Sequence, residues 1–305
     1  MFGLNRKNLR HLGTVVRRGD RPATSVYDSI GSDFFLAPAP HWLNVGLWEG
    51  SGEEAEALVA VRRLVKRIAS ALPRVGVIVD VGNGLGAQEP VISEAASPRQ
   101  LVAVNITPSQ LVAGRSHLEE AGAQPMVADA VLLPFADGKV DGVISVEAAF
   151  HFSSRPKFFE QCFRILAPGG VVTTSDFVVA RSPRTLKEKF LCLAAIRVWG
   201  VRADAVVSPS ELRRQAEDAG FVDVHLELCG ERTIDPAIRL FQGRILSGSL
   251  APTVHRLVAK RVLRQWSVLR ALGIMDYALM KATKPGPNSQ TVVHHRDQAG
   301  YGVDS

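Results

Sequence analysis

Three glycines stand at alternate positions directly after an apolar run, in the stretch VIVDVGNGLGAQ of residues 77–88. Gly82, Gly84 and Gly86 lack the Cβ atom that would keep a ligand away from the backbone, and glycine tolerates the positive φ angles of a tight loop. A helix that begins after such a loop presents unpaired backbone N–H groups to the same place. The spacing therefore predicts a loop whose main chain binds a flat, polar ligand.

An acid and an imidazole follow a later apolar run, in the stretch VEAAFHF of residues 146–152. His151 lies four residues beyond Glu147, so the two side chains share one side of the chain if it turns helically there. A histidine at the end of a strand is a candidate general base, because its ordinary pKa lies near neutrality. The alternative is a histidine that serves only the structure.

The elements that must position these residues are short apolar runs separated by helical segments. The runs are VGVIVDV, LVAVNI, PMVAD, VDGVISVE and GVVTTSDF, at residues 75–81, 101–106, 125–129, 140–147 and 170–177. Nearly continuous apolar strands that alternate with helices predict an α/β fold with a parallel sheet covered on both faces. Such sheets bind ligands at the carboxyl ends of their strands, which is where the three glycines lie.

Two cofactor patterns fit the glycine loop. Extended to Ala87, the loop matches the dinucleotide pattern, and preceded by Asp80 it matches the pattern of S-adenosylmethionine (SAM) binders. A dinucleotide fold should present an acid to the ribose after the second strand, and this chain has Asn105 there. Asp129 after the third strand, followed by LLPF, and RILAPGG before the fifth strand favour SAM.

Longer stretches resemble the class I SAM-dependent methyltransferases, in particular the actinobacterial natural-product group of the erythromycin 3″-O- and rebeccamycin sugar O-methyltransferases. These stretches are HWLNVGLWEG, DVGNGLGAQ, VNITPSQL, VEAAFHFSSRPKFFEQCFRILAPGG, AGFVDV and MDYALMKATKPG. The resemblance covers roughly residues 25–286. It implies a doubly wound, seven-stranded, mostly parallel sheet of the Rossmann-like methyltransferase type, with an N-terminal helical cap and helical lid insertions.

The resemblance implies that residues at the ends of the first three strands hold SAM. The residues concerned are Asp80, Gly82, Gly84, Gly86, Gln88, Asn105, Ile106, Gln110, Asp129 and Ala130. The glycines would wrap the methionine part and Asp80 would hold their loop. Asn105 would meet the ribose hydroxyls without the charge of the more usual acid. Asp129 would accept from the adenine amino group, and the Ala130 N–H would donate to a ring nitrogen.

The resemblance also implies a base and a cover for the cofactor. His151 would be the general base and Asp176, at the end of the fifth strand, its partner; a cap on the following segment is the alternative for Asp176. Glu147 would contact the cofactor, bind an acceptor hydroxyl or tie down the cap. Tyr27 and Trp48 would close over the methionine end, although a core position is nearly as well supported for both.

By the same resemblance the chain divides into a SAM-binding core and helical additions. The expected parts are an N-terminal helical cap (1–75), a core (76–178), a lid insertion (179–209), a core continuation (210–230), a helical lid (231–273), the last core strand (274–285) and a flexible tail (286–305). Aromatic residues are expected to line the lid or to be plain core: Phe150, Phe152, Phe190, Trp199, Phe241 and Trp266.

The predicted function is O-methylation of a hydroxyl, on a sugar or elsewhere, of a bulky hydrophobic natural product. The alternative is C-methylation of a prenyl or terpenoid alkene, in which Glu147 and aromatic faces stabilise a carbocation. A third interpretation is a SAM-binding protein without catalytic activity. A His151–Asp176 pair favours O-methylation, whereas a Glu147 that points into an aromatic pocket favours C-methylation.

Composition limits the other partners of this chain of 305 residues and net charge +6. We expect no nucleic acid, because zinc-finger spacing and a recognition helix are missing, and no metal, because no acidic or histidine cluster has suitable spacing. No apolar run reaches the length of a membrane span and no signal peptide is evident, which predicts a cytoplasmic protein. The three cysteines are expected to be buried free thiols. Residues 1–22, with six basic residues and one acid, are expected to pack on the lid or on a second subunit of a homo-oligomer.

Overall fold

The computed structural model describes residues 36–199, 202, 205–249 and 253–287. Its strands are β1 (Val77–Val81), β2 (Gln100–Asn105), β3 (Ala123–Val127), β4 (Val140–Val146), β5 (Leu166–Val179), β6 (Val222–Leu228) and β7 (Met275–Thr283). The described α-helices are α1 (Ala57–Ala69), α2 (Glu89–Ala96), α3 (Pro108–Ala113), α4 (Arg115–Ala121), α5 (Arg155–Ile165), α6 (Leu186–Trp199), α7 (Pro209–Asp218), α8 (Ile234–Ser247) and α9 (Thr253–Ala271). Tyr27 and the basic segment 1–22 lie outside the described residues.

The strands form one sheet in the order β3-β2-β1-β4-β5-β7-β6. Strands β1 to β5 pair in parallel, and β7 runs antiparallel between β5 and β6. The prediction of a seven-stranded, mostly parallel sheet is therefore confirmed. Strand β3 begins at Ala123, ahead of the expected run, and carries Pro125, which a strand at the edge of the sheet tolerates because one side of its backbone has no partner.

Helices cover both faces of the sheet, as the apolar strands predict. Tyr277 and Leu279 of β7 pack with α1, α8 and α9 in one apolar cluster. The alternating residues Ala278 and Met280 pack on the opposite face with α5 and α7. This period of two fixes which side chains of each strand can reach each layer.

The region expected as a helical lid, 231–273, is in large part core. Phe241 on α8 and Leu263 and Trp266 on α9 are buried against the sheet. Arg270 of α9 binds both carboxylate oxygens of Asp235 on α8 at 2.9 Å and donates to the carbonyl of Met275 on β7. These contacts make α8 and α9 a fixed layer over the end of the sheet, and closure over an acceptor stays a prediction.

The described part of the expected helical cap is a loop followed by one helix. Proline and glycine in residues 37–50 predict a loop, which is confirmed. The amphipathic pattern of residues 51–72 predicts a helix from Ser51, but the structure begins only with a 3₁₀ turn at Glu54–Glu56. Gly52 has a φ of +103°, and a Cβ atom there would overlap the carbonyl of Pro236. The backbone that packs on α8 therefore leaves helical geometry at Gly52 and delays the start of α1.

Two further expectations concern thiols and membranes. Cys162 and Cys229 are buried free thiols, as expected, whereas Cys192 on the peripheral helix α6 is only partly buried. Among the described helices we find none with the length and apolar character of a bilayer span.

Candidate active site

The glycine loop lies where the order of the sheet reverses. Strand β1 has β2 on one side and β4 on the other, and parallel strands end at the same edge of a sheet. The loop after β1 therefore meets the turn after β4. A Cβ atom on Gly82 would overlap the Cβ of Ala148 and would lie 3.5 Å from the ring of Phe152.

The three predicted glycines all adopt left-handed backbone angles, but their surroundings differ. The φ angles of Gly82, Gly84 and Gly86 are +82°, +60° and +77°. A Cβ atom on Gly86 would press on the carbonyl of Gly114, at 3.1 Å, whereas on Gly84 it would meet only the tip of the Leu43 side chain. Packing thus explains Gly82 and Gly86, whereas Gly84 is the least crowded of the three.

Two buried carboxyl groups lie beneath this loop. Asp80, at the end of β1, accepts a hydrogen bond of 2.5 Å from Gln88. Burial raises the pKa of Asp80 to about 7, and burial together with Asp80 raises the pKa of Glu89 well above its ordinary value. Two adjacent buried carboxyls cannot both ionise at low cost, so the pair retains a proton. The sequence analysis missed Glu89, although an acid at the first turn of the helix after a glycine loop is a usable signal.

Amide side chains connect the glycine loop to the end of β2. The Asn105 amide nitrogen donates to Asn83 Oδ1 (3.0 Å), Gly84 O (3.3 Å) and Gln110 Oε1 (3.1 Å), and its oxygen accepts from the Thr107 N–H (2.9 Å). Asn105 therefore supports the loop from below. Its predicted contact with a ribose stays a prediction, and it requires one of these hydrogen bonds to exchange.

The predicted adenine region lies at the ends of β2 and β3. The Ala128 N–H donates to the Asn105 carbonyl (3.1 Å), so the chain after β3 continues beside the chain after β2. Asp129 uses one carboxylate oxygen to accept from the Val131 N–H (3.1 Å), and Ala130 is buried. Ile106 is an exposed apolar side chain at the end of β2. The roles of Ile106, Asp129 and Ala130 toward an adenine ring stay predictions.

Glu147 holds three parts of the molecule together. Its Oε1 accepts from the Tyr277 hydroxyl (2.6 Å) on β7 and from the Val45 N–H (2.8 Å) in the N-terminal loop. Its backbone φ of +49° is uncommon for a residue with a side chain, so the position is strained. Burial raises its pKa to about 8. These contacts match the tie-down role that the sequence left open.

Trp48 is a core residue of the same N-terminal loop. Its indole is buried, and its N–H donates to the Val45 carbonyl (2.8 Å). The core position is one of the two that the sequence left open for Trp48. Because Val45 also binds Glu147, Trp48 supports the site through the loop.

His151 ends a 3₁₀ turn, Ala149–His151, directly after β4. Its ring lies 4.0 Å from that of Phe150, centroid to centroid. Burial and the charge of Arg155 lower the pKa of His151 to about 3, against the ordinary value near neutrality that the sequence led us to expect. The imidazole is consequently neutral at physiological pH and can accept a proton.

Asp176 is paired with an arginine that the sequence analysis missed. Asp176 is fully buried on β5, and its Oδ2 lies 3.6 Å from Nε of Arg155, a buried residue at the start of α5. Burial raises the pKa of Asp176 to about 6, while Arg155 and the Phe150 N–H oppose the rise. Because Arg155 influences both His151 and Asp176, the three side chains form one electrostatic group.

Comparison with known proteins gives this arrangement its class. The family model described as "Methyltransferase domain" matches residues 79–174, which run from β1 to β5. The chain is 27% identical over 294 residues to erythromycin 3″-O-methyltransferase of Saccharopolyspora erythraea, covering 90% of this chain and 94% of that one. The matched domain and these similarities identify the chain as a SAM-dependent methyltransferase.

Two further proteins are similar to this methyltransferase, one in sequence and one in structure. The 27-O-demethylrifamycin SV methyltransferase of Amycolatopsis mediterranei is 31% identical over 185 residues, 58% of this chain and 65% of its own length. The structure of the cyclopropane synthase MmaA2 from Mycobacterium tuberculosis aligns with a TM-score of 0.69 at 19% identity, over 87% of this chain and 97% of that one. The second likeness establishes a shared fold.

The residues of this methyltransferase suit its methyl donor, SAM. Several buried polar atoms of the glycine loop and its surroundings make no hydrogen bond of good geometry among the described residues: Asp80 Oδ1, both Glu89 carboxylate oxygens, Asn83 Nδ2 and Gln110 Nε2. The carboxyl oxygens can accept from the ammonium of a methionine part, and the Asn83 amide can donate to its carboxylate. Buried polar groups without partners are costly, so a polar ligand satisfies a need of this loop.

An aromatic group extends from the site of this methyltransferase toward α9. The ring of Phe177 lies 5.8 Å from Phe150, 5.5 Å from Trp266 and 5.3 Å from Tyr277, centroid to centroid. Of the other aromatic residues expected near an acceptor, Phe152 lies beside Gly82 and Phe241 belongs to the core. Phe190 is exposed on α6, and the side chain of Trp199 lies outside the described part of the chain. The described residues contain no cluster suited to a metal ion.

Proposed function

We propose that this methyltransferase transfers the methyl group of SAM to a hydroxyl of a bulky hydrophobic natural product, with His151 as general base. The observation that carries the proposal is the neutral imidazole of His151 in the turn that packs against the glycine loop. A neutral nitrogen at that edge of the sheet can take the hydroxyl proton as the oxygen attacks. The erythromycin 3″-O-methyltransferase, similar over most of this chain, supports a hydroxyl acceptor.

The chain's own residues align the reactants and receive the proton. When bound, SAM supplies an electrophilic methyl group on a sulfonium centre. The glycine loop and the Asp80–Glu89 pair hold the donor's methionine end, and the turn from Ala148 to Phe152 directs the acceptor toward it. His151 takes the proton beside Arg155 and Asp176, which are buried together. The carboxylate of Asp176 would offset part of the cost of a second cation beside Arg155.

The acceptor class follows from the aromatic group. The Phe150 ring lies beside that of the proposed base and packs edge to face with Phe177, and aromatic and aliphatic walls bind apolar ligands with few polar contacts. This favours a macrolide-like or ansamycin-like metabolite of secondary metabolism over a small polar molecule. The relatives whose names include erythromycin and rifamycin support antibiotic biosynthesis as the setting.

C-methylation of an alkene is the second candidate. The observation that favours it is Tyr277, which binds Glu147 and packs edge-on against Phe177, so an acid and aromatic faces occur together. Against it, both hydrogen bonds of Glu147 Oε1 are used by the protein, and the raised pKa keeps this carboxyl protonated at neutral pH. A protonated carboxyl whose Oε1 already accepts two hydrogen bonds is a poor stabiliser of a carbocation.

The test combines radiolabelled SAM with macrolide and ansamycin acceptors that carry a free hydroxyl. We expect transfer to give a methyl ether, identified by product mass and NMR. His151→Ala should lower the transfer rate by roughly 10²–10⁴-fold, the range of general-base catalysis. His117→Ala, a half-buried histidine on α4, is the matched control and should retain the rate. SAM affinity should be unchanged in both variants.

One pair of results would reverse the assignment. If His151→Ala retains near-full activity while Glu147→Gln is inactive, O-methylation with His151 as general base is contradicted. C-methylation of an alkene then becomes the favoured function. Glu147→Gln is informative because its amide oxygen can still accept from Tyr277 and Val45, so the fold is kept.

A further inference from the structure

Helix α6 carries an apolar stripe on its outer side. Leu186, Phe190 and Leu193 are 84%, 75% and 54% exposed, and their spacing of four and three residues puts them on one side of the helix. From Leu186 to Ile196, the part of α6 whose side chains are described, no side chain is buried. Helices α8 and α9, by contrast, bury aromatic residues against the sheet. The apolar character of α6 is therefore not explained by the core.

Positive charge surrounds this stripe. Lys187 and Lys189 are exposed between the apolar residues. The acid of α6, Glu188, is engaged, since its carboxylate binds the Arg181 guanidinium (3.0 Å) and the Arg184 N–H (2.7 Å). The outer side of α6 consequently presents apolar side chains and lysines without an available carboxylate of its own.

The neighbouring helix α9 extends the same character. The two helices are in contact, and Gln265 of α9 donates to the Leu191 carbonyl of α6 (2.8 Å). The exposed residues of α9 follow one helical side, where three cations stand between two apolar residues: Leu257, Lys260, Arg261, Arg264 and Val268. The sequence of α9 contains five basic residues and no acid. We call the α6 stripe, its two lysines and these α9 residues the basic–apolar face.

We propose that the basic–apolar face docks the methyltransferase on an anionic lipid bilayer. A helix with exposed Leu and Phe next to Lys suits the boundary between headgroups and acyl chains, where apolar side chains insert and cations meet phosphates. The inference is independent of which atom is methylated. It would bring the enzyme to the surface where hydrophobic molecules accumulate.

Charge argues against two other occupants of this face. A second copy of the chain would set the cations of α9 against themselves or against those of α6. The N-terminal residues 1–22 carry six basic residues and one acid, so they would meet the same repulsion. An anionic occupant satisfies the face, and the exposed hydrophobic side chains interspersed with lysines favour a bilayer over an acidic protein.

The experiment is cosedimentation of the full chain with phosphatidylcholine vesicles that contain or lack phosphatidylglycerol. We expect binding to the anionic vesicles to be at least about tenfold stronger, and to weaken as salt screens the charges. Phe190→Glu should reduce that binding by about tenfold or more, because it removes an inserting ring and adds a repelled charge. Leu58→Glu, at a 52% exposed leucine on α1, is the matched control and should bind like the wild type.

Lys260→Glu with Arg264→Glu tests the contribution of α9 and should weaken binding similarly. Circular dichroism and SAM affinity should be unchanged in every variant, which separates loss of docking from loss of fold. Equal binding to neutral and anionic vesicles would overturn the proposal. Unchanged vesicle binding of Phe190→Glu would also overturn it, because the protein would then adsorb by charge alone. Binding to polyglutamate without binding to vesicles would overturn it as well and would indicate an acidic protein partner.

Discussion

Glu147 shows how one residue can support a site by remaining protonated. Its folded pKa of about 8 lies above the ordinary value of 4.5, so between these two pH values the folded chain binds more protons at this position than the unfolded chain. Stability from this group is therefore fully present below about pH 4.5 and is lost as pH rises through 8. Glu147→Gln removes the ionisation and keeps an oxygen for Tyr277 and Val45.

We therefore expect the free energy of unfolding of the wild type to fall relative to Glu147→Gln between pH 5 and pH 9. The relative change should be on the order of 2–4 kcal/mol, from about 1.4 kcal/mol for each unit of pKa shift. Urea unfolding at several pH values measures it, and the other buried acids, Asp80 and Asp176, cancel in the comparison. Parallel pH profiles for the two chains would show that Glu147 ionises at an ordinary pKa.

Burial and the charge of Arg155 together keep His151 neutral. With a pKa lowered to about 3 by burial and by Arg155, the ring of His151 should stay neutral down to about pH 4. NMR of histidine-labelled protein should show a neutral His151 ring at pH 5. Arg155→Met removes the charge, so the His151 pKa should rise and an acid limb in the pH–rate profile should move upward. Arg155→Lys, which keeps the charge, should move the acid limb much less. A wild-type His151 ring that titrates near pH 6.5 would contradict this account.

At the scale of elements, the glycine loop offers a prediction with an internal control. Gly84 and Gly138 have similar φ angles, +60° and +66°. Gly84 belongs to the loop proposed to hold SAM, and a Cβ atom on Gly138 would have no neighbouring atom within 4 Å. An arginine at either position carries the same backbone strain, roughly 1–2 kcal/mol. Gly84→Arg should abolish SAM binding in calorimetry, and Gly138→Arg should preserve it. Wild-type protein that binds NAD in preference to SAM would contradict the cofactor assignment itself.

The elements differ in how far the sequence could predict them. Strands β1, β2 and β4 were predictable because each is a short apolar run that ends in a glycine or a polar residue, which local pattern alone encodes. The start of α1 was not predictable from sequence, because the backbone conformation of Gly52 is fixed by its contact with Pro236 on α8, far away in the chain. Likewise Arg155 opens a helix after a serine pair, a position that is usually solvated, and only the fold buries it beside Asp176.

The site residues likewise divide into those that local spacing reveals and those that only the fold brings together. The glycines and Asp80 lie within one stretch of sequence, so spacing could find them. Tyr277 reaches Glu147 across 130 residues of sequence, and only because β7 inserts antiparallel between β5 and β6. No local pattern contains that contact. Residues that act on a neighbour through tertiary structure, such as Tyr277 and Arg155, are therefore the ones that sequence reasoning misses.

At the scale of the whole molecule, the contacts that attach the loop from residue 36 to the core help to predict how subunits assemble. Arg244 of α8 donates to the carbonyls of Ala37 (2.9 Å) and Pro38 (2.6 Å), and Val45 binds Glu147. The loop from residue 36 onward is thus anchored by its own contacts and does not need the preceding residues to hold it. For the basic segment 1–22, which lies outside the described residues, we expect packing on the lid or on a second subunit, and the second possibility makes assembly depend on it.

A chain beginning at Thr24 tests this expectation. It should fold, because the anchors at Ala37, Pro38 and Val45 remain, and its melting temperature should stay within a few degrees of that of the full chain. Its mass by light scattering should fall from that of a dimer or higher oligomer to that of a monomer. High salt should weaken the full-length assembly as well, since a segment with six basic residues and one acid associates through charge. An unchanged mass after removal of residues 1–23 would mean that this segment does not hold subunits together.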